Sequence, residues 1–317
     1  MFPLVLVLGP TGSGKSGLAI RLALEFDGEV VNCDSQQVYR LLNIGTAKVP
    51  LEERRGVPHH LIDVADPDEV FSAGEYARRA RLLLADIRQR GRLPIVCGGT
   101  GFYVRAFLEG LVEVPPRNEA LRGELARREV LRPGFVHRLL RRLDAASAGR
   151  IHPNDVQKAV RAVEVSMAAR LPMSGLFGQS EQPLMGFRWL KLGLDPPRAA
   201  LYTRINERCE RMFRDGLIEE TRGLLGSGYG RETKAMESIG YRQSINVLEG
   251  RASVEEALAD TQMESRRYAK RQLTWFRRDF EISWLGGFGD EPEIEVEAIR
   301  IVGEHLGSTT GHYSTNA

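Results

Sequence analysis

A chain of 317 residues, 42% of them apolar, can bury one large core or two, which excludes a disordered or fibrous protein. No apolar stretch approaches the roughly 20 residues that span a bilayer, and the three isolated cysteines, Cys33, Cys97 and Cys209, fit neither a disulfide framework nor a C-x-x-C zinc site. The formal charge of +2 conceals a segregation: residues 115–170 hold 12 Lys/Arg against 6 Asp/Glu, residues 261–280 hold 6 against 2, and residues 281–317 hold 1 against 7.

The opening apolar run, residues 4–8, reads as a buried strand rather than a signal peptide. It leads into Gly9-Pro10-Thr11-Gly12-Ser13-Gly14-Lys15-Ser16, and a helical run over 16–26 follows. Strand, G-x-x-x-x-G-K-S and helix together predict a P-loop. Its glycines let backbone N–H groups turn inward around phosphate oxygens, and the helix aims its positive end at the same point. Lys15 adds a cation, and the Ser16 hydroxyl suits Mg²⁺. A second strand is predicted at 29–33, a long amphipathic helix at 72–90 and a further strand at 93–97, followed by Gly98-Gly99-Thr100-Gly101. Apolar strands alternating with helices predict an α/β fold, a P-loop-type parallel sheet flanked by helices.

Beyond residue 112 the texture changes. Three Arg-, Leu- and Ala-rich helices are expected over 117–129, 134–148 and 154–169, then a loop over 179–188. A strand at 189–194 returns to the sheet, helices follow over 198–225 and 253–278, and 282–285 reads as a last strand. The expected organisation is a discontinuous catalytic core, 1–112 and 189–285, with a mainly helical insertion over 113–188. An acidic tail covers 286–317, its end from 308 disordered.

Ligands collect at the carboxyl ends of parallel strands, where the P-loop, residues 34–37 and residues 98–101 all fall. Asp34 directly follows a strand. It reads as a Mg²⁺ ligand, as a base taking a proton from a nucleophile, or as a structural Asx-turn or helix cap. Thr100 could touch substrate or cap the next helix. An ordinary P-loop NTPase also needs an acid at the end of an apolar strand to hold Mg²⁺ through water. The strand at 93–97 ends in glycines instead, which favours a P-loop that binds a diphosphate leaving group. Residues 266–278 pack six cations and three aromatics into 13 positions, a mixture suited to phosphate contacts and base stacking, or to an amphipathic helix with Leu273, Trp275 and Phe276 in the core. Of Arg204, Arg208 and Arg211, spaced along one helix, one could reach a phosphate. His59-His60 has no third ligand at metal spacing and reads as loop.

These pieces together resemble the tRNA dimethylallyltransferase family, also called tRNA isopentenyltransferases. The matching motifs are GPTGSGKS at 9–16, DSQQVY at 34–39, NIGTAK at 43–48, HHLIDVADP at 59–67, GGTGFY at 98–103, RIHPND at 150–155, SIGYRQ at 238–243 and KRQLTWFR at 270–277. They span residues 4–285 in the family's order.

The resemblance implies transfer of a dimethylallyl group from dimethylallyl diphosphate to N6 of the adenosine at tRNA position 37, beside the anticodon, with release of diphosphate and help from Mg²⁺. It implies Asp34 as general base, Thr100 beside the target base, and Lys15, Ser16 and Arg208 on the diphosphate; the P-loop pattern itself makes Ser16 the candidate metal ligand. Segments matching tRNA contacts are Asp34-Ser35-Gln36-Gln37, Gln157-Lys158-Ala159-Val160-Arg161, Glu237-Ser238-Ile239-Gly240-Tyr241-Arg242 and Lys270-Arg271-Gln272-Leu273-Thr274-Trp275-Phe276-Arg277, with Thr100 and Arg122 as single positions. A cytoplasmic monomer with no membrane partner is expected. Competing readings are a small-molecule P-loop kinase using ATP and a non-catalytic RNA-binding module that retains a P-loop.

Overall fold

The computed structural model describes residues 1–112, 114–176 and 182–307. The chain divides into two compact units, Met1–Leu108 with Leu184–Ala317, and Glu109–Pro183. In the larger unit six strands form one all-parallel sheet in the order β3-β2-β4-β1-β5-β6. They are β1 (Phe2–Leu8), β2 (Gly28–Asn32), β3 (His59–His60), β4 (Leu93–Gly98), β5 (Phe187–Leu194) and β6 (Ile282–Leu285). β1 is central, and Leu4 to Leu8 are wholly buried, as a strand covered on both faces requires. Val5, Val7, Val30, Ile95 and Leu192 share a core with α1 (Lys15–Glu25). Alternate strand residues point to opposite faces, so Leu4, Leu6, Val31 and Val96 face the other way and are equally buried. α2 (Ala73–Gln89), capped by Ser72 Oγ accepting the Glu75 amide at 3.1 Å, packs on β2 and β4.

Several boundaries depart from the sequence expectation. The expected helix over 198–225 is two helices, α9 (Arg198–Arg214) and α10 (Leu217–Gly226), broken at Gly216, whose φ of 106° a helix does not accept. Part of the expected acidic tail is α13 (Pro292–Gly307), whose Ala298 and Val302 join the α1 core. Its acidic residues occupy the wet face, so the charge run belongs to an ordinary amphipathic helix. His59 and His60 form an edge strand, not a loop. The disordered end expected from 308 lies outside the described residues, as does part of the expected loop over 179–188.

The smaller unit is helical: α4 (Glu119–Leu131), α5 (Phe135–Leu143), α6 (Ala145–Arg150), α7 (Val156–Ala169) and α8 (Met173–Leu176) around Leu125, Val136, Leu140 and Val163. The expected helix over 134–148 divides at Asp144, because that carboxylate caps α6 through the Ser147 amide at 2.9 Å. Asp144 also accepts from the Ser147 hydroxyl and from the amide and hydroxyl of Ser174. Burial alone would raise its pKa, but these four donors outweigh burial and hold the carboxyl at about 2.

Candidate active site

Strand register builds the site. Leu8 pairs with Gly98, and Asn32 with Cys97, so the P-loop, Asp34 and Thr100 emerge at one edge of the sheet. Gly14 caps α1 with φ 84° and no side-chain cap, which leaves the first amides of α1 directed into the loop. One cavity at this edge is lined by Thr11, Lys15, Ser16, Asp34, Arg208 and Gln272, and by the less polar Val30, Ala47, Val49 and Ile62. Asn32, Gln37, His59, Cys97 and Gly98 complete its wall. The expected P-loop lysine, carboxylate and arginine therefore converge on one space.

Both cations are half-buried. Burial pulls the Lys15 ammonium down to about 8; Cys97 and Asp34 act against that shift, and the neighbouring Arg208 adds to it. Burial likewise lowers Arg208. Two half-buried cations on one cavity wall suit a polyanionic ligand, whose charge would restore both. Lys15 donates to the Pro10 carbonyl at 2.6 Å. Burial pushes the Cys97 thiol up to about 11, so it is a protonated wall group. Of the three spaced arginines, Arg208 alone lines the cavity; Arg204 is paired with Asp290 over the Phe288 ring, and Arg211 is exposed.

Asp34 makes an Asx-turn: its Oδ1 accepts from the Gln36 amide at 2.8 Å and the Gln37 amide at 3.3 Å. The turn does not remove it from the cavity wall, so its structural and chemical readings coexist. Thr100 Oγ1 accepts from the Ser35 amide at 3.1 Å, and the Thr100 amide donates to the Cys33 carbonyl at 3.3 Å. Thr100 thus joins the loops after β2 and β4. Burial first, then the Asp34 charge, push the Tyr268 phenol well above its usual range.

The remaining marked residues divide by side-chain direction. Exposed are Gln157, Lys158, Glu237, Arg242, Lys270, Arg271, Thr274, Trp275 and Arg277. Arg277 pairs with Asp195 at 2.8 Å. Half-buried are Ser35, Gln36, Ile239, Leu273 and Ser238, whose hydroxyl bonds the Ala235 carbonyl. Gln37 turns inward to the Thr46 carbonyl. Ala159 and Val160 are core of the helical unit. Arg161 and Arg122 lie against Glu164, which is wholly buried and also accepts the Asn118 amide. Gly240, Tyr241 and Phe276 are buried as well; Tyr241 donates to Glu220, whose carboxylate gathers the amides of Asn43, Ile44 and Gly45.

Sequence reasoning did not identify Gln272 as part of the cavity wall or Glu220 as the anchor of the 43–45 loop. For Gln272 a signal existed: Ala269, Gln272 and Phe276 recur at helical spacing on the buried stripe of α12 (Val254–Phe276).

Residues 37–279 match the family described as IPP transferase. The tRNA dimethylallyltransferase of Solibacter usitatus is 54% identical over 96% of this chain and 99% of the relative. That of Koribacter versatilis is 56% identical over 94% of this chain and 97% of the relative. The crystal structure of the tRNA isopentenylpyrophosphate transferase of Bacillus halodurans aligns with a TM-score of 0.72 at 35% identity, covering 98% of each chain. A eukaryotic dimethylallyltransferase captured acting on tRNA aligns with a TM-score of 0.83 at 27% identity, over 97% of this chain and 80% of the other.

Proposed function

Since the chain belongs to the tRNA dimethylallyltransferase family, we propose that its cavity grips dimethylallyl diphosphate by the diphosphate while Asp34 readies N6 of the adenosine at tRNA position 37. The chain is a prenyltransferase enzyme that modifies tRNA; the relatives give no support to a kinase. The observation that carries the residue assignment is the shared wall on which Lys15, Ser16, Arg208 and Asp34 meet.

Adenine N6 is a weak nucleophile because its lone pair is delocalised into the ring. In the proposed step N6 forms a bond to C1 of the allyl group while the C1–O bond breaks and its electron pair leaves with the diphosphate. Asp34 accepts one N6 proton. Lys15, Arg208 and the P-loop amides stabilise the negative charge that grows on the leaving oxygen. Thr100, tied to the Ser35 amide, holds the Asp34 loop beside the acceptor. Val30, Ala47, Val49 and Ile62 offer the five-carbon tail an apolar wall.

No group of three metal-ligating side chains occurs among the described residues. Ser16, on the cavity wall, would hold a Mg²⁺ by its hydroxyl, a hard oxygen donor of the kind that ion takes. When bound, the ion would neutralise part of the diphosphate charge. The three cysteines are free and buried, which supports a reducing, cytoplasmic setting, and the proposal is for a monomer.

A base stacked in an anticodon loop must be turned out before it reaches such a pocket. In the larger unit, exposed Lys270, Arg271 and Trp275 offer cations and a stacking face to RNA, and Arg242 adds a cation. In the helical unit, Gln157 and Lys158 are the exposed members of the matching segment. The test is incubation of the protein with tRNA and dimethylallyl diphosphate, followed by mass spectrometry of the nucleosides. Isopentenyladenosine is expected. ATP turnover with no transfer from dimethylallyl diphosphate overturns the proposal.

A further inference from the structure

Gln272 is buried to 5% exposure near the C-terminal end of α12, with Lys270, Arg271 and Thr274 exposed around it. Its carboxamide is engaged at both ends. Oε1 accepts the Thr11 amide of the P-loop at 2.8 Å, and Nε2 donates to the Gly99 carbonyl at 2.9 Å. A carboxamide accepts at one atom and donates from the other, so it can bridge the two loops. Gly99 is matched to it, since a Cβ there would lie 2.1 Å from Gln272 Nε2. The Gly99 loop continues into Thr100, whose hydroxyl holds the Ser35 amide next to Asp34. One buried side chain thus joins the donor cradle, Thr11, to the loop that orients the acceptor carboxylate.

We infer that Gln272 is a positioning residue that sets the spacing between the diphosphate cradle and Asp34, rather than an RNA contact like its exposed neighbours. This rests on the proposed donor and acceptor assignments. The reacting carbon belongs to one side of that spacing and the proton acceptor to the other. Misplacement by about 1 Å between reacting groups costs on the order of 10²-fold in rate without a comparable loss of binding. Gln272→Leu leaves the Thr11 amide and the Gly99 carbonyl unpartnered, so the two loops relax independently. Gln272→Glu keeps the acceptor for Thr11 and loses the donor to Gly99.

The experiment compares wild type, Gln272→Leu, Gln272→Glu, Gly99→Ala, Gln272→Ala and the Gly99→Ala/Gln272→Ala double variant. Single-turnover transfer is measured with saturating tRNA and dimethylallyl diphosphate, and calorimetry gives the affinities for pyrophosphate and an anticodon stem-loop. Gln272→Leu is expected to lose about 10²-fold in rate, with both affinities within about threefold of wild type. Gly99→Ala, which presses Gln272 aside, is expected to fall similarly, and to lose little more when Gln272 is already Ala, the non-additivity of a shared contact. A Gln272→Leu rate within threefold of wild type overturns the inference. So does a rate loss matched by lost stem-loop affinity, which makes Gln272 an RNA contact, or full additivity in the double variant. Should Gln272→Leu fail to fold, Gln272→Glu and the Gly99→Ala cycle give the same decision. A wild type that transfers nothing from dimethylallyl diphosphate rejects the underlying assignment instead, so the two failures are distinguishable.

Discussion

The helical unit and the cavity of the larger unit treat charge in opposite ways. In the helical unit Glu164 is wholly enclosed, yet its oxygens receive the Asn118 amide and the guanidiniums of Arg161 and Arg122. Burial would raise its pKa, but those partners outweigh burial and hold it below the usual range. Asp144 is treated likewise by four donors. In the cavity of the larger unit, Lys15 and Arg208 share a wall half-buried, and loss of water lowers the pKa of both. Charge that the fold itself satisfies is architecture; charge that the fold leaves at odds with its surroundings marks where a ligand of opposite sign belongs.

The largest expected break in this comparison is at Asp34. Asp34→Asn keeps an oxygen for the Gln36 amide, so the turn survives while the base is lost. The single-turnover rate is expected to fall on the order of 10²–10⁴-fold with pyrophosphate affinity retained; a near-wild-type rate removes Asp34 from the chemistry. Next comes Lys15→Met, which deletes a charge-assisted contact of about 1.5–3 kcal/mol. Pyrophosphate affinity measured by calorimetry is expected to drop roughly 10–100-fold, and an unchanged affinity would mean that the anion sits elsewhere.

A smaller effect comes from pH. Lys15 has a pKa of about 8 in the ligand-free cavity, and a bound polyanion raises it. Pyrophosphate affinity attributable to Lys15 is therefore full below pH 8 and declines as pH rises above it, with proton uptake on binding near pH 8 to 9. Calorimetry in buffers of different ionisation enthalpy reads that uptake directly. Release of protons, or none, contradicts the half-buried-cation picture.

The least effect on the cavity is expected from the helical unit. Glu164→Gln removes the charge that satisfies Arg161 and Arg122, and should cost about 1–3 kcal/mol in urea unfolding while leaving pyrophosphate affinity unchanged. Asp144 has a folded pKa of about 2 against an ordinary value of 3.8. A depressed carboxyl contributes stability above its unfolded value, so that contribution is lost as pH falls from about 4 through 2. Acid unfolding of Asp144→Asn should lack this component.

The site was legible in the sequence wherever function depends on local backbone or on position at a strand end. The P-loop is one continuous segment whose glycines, lysine and serine act through their spacing, and Asp34 and Thr100 each lie two residues past the end of a strand that periodicity reveals. The RNA-matching segments were legible as segments but not residue by residue. Tyr241 and Phe276 lie in motifs beside exposed cations, yet their side chains enter the core; composition cannot tell which face of a short helix is wet.

By itself the sequence determined the parallel α/β class, the phosphate cradle and the ordered motifs of the family, because each is written in residues close together along the chain. Tertiary structure alone decided that Arg208 and not Arg204 or Arg211 lines the cavity, that Gln272 bridges Thr11 and Gly99, and that α13 belongs to the core. These choices depend on which of several equivalent helix faces meets a partner more than a hundred residues away, and such pairings exist only once the sheet has set its register.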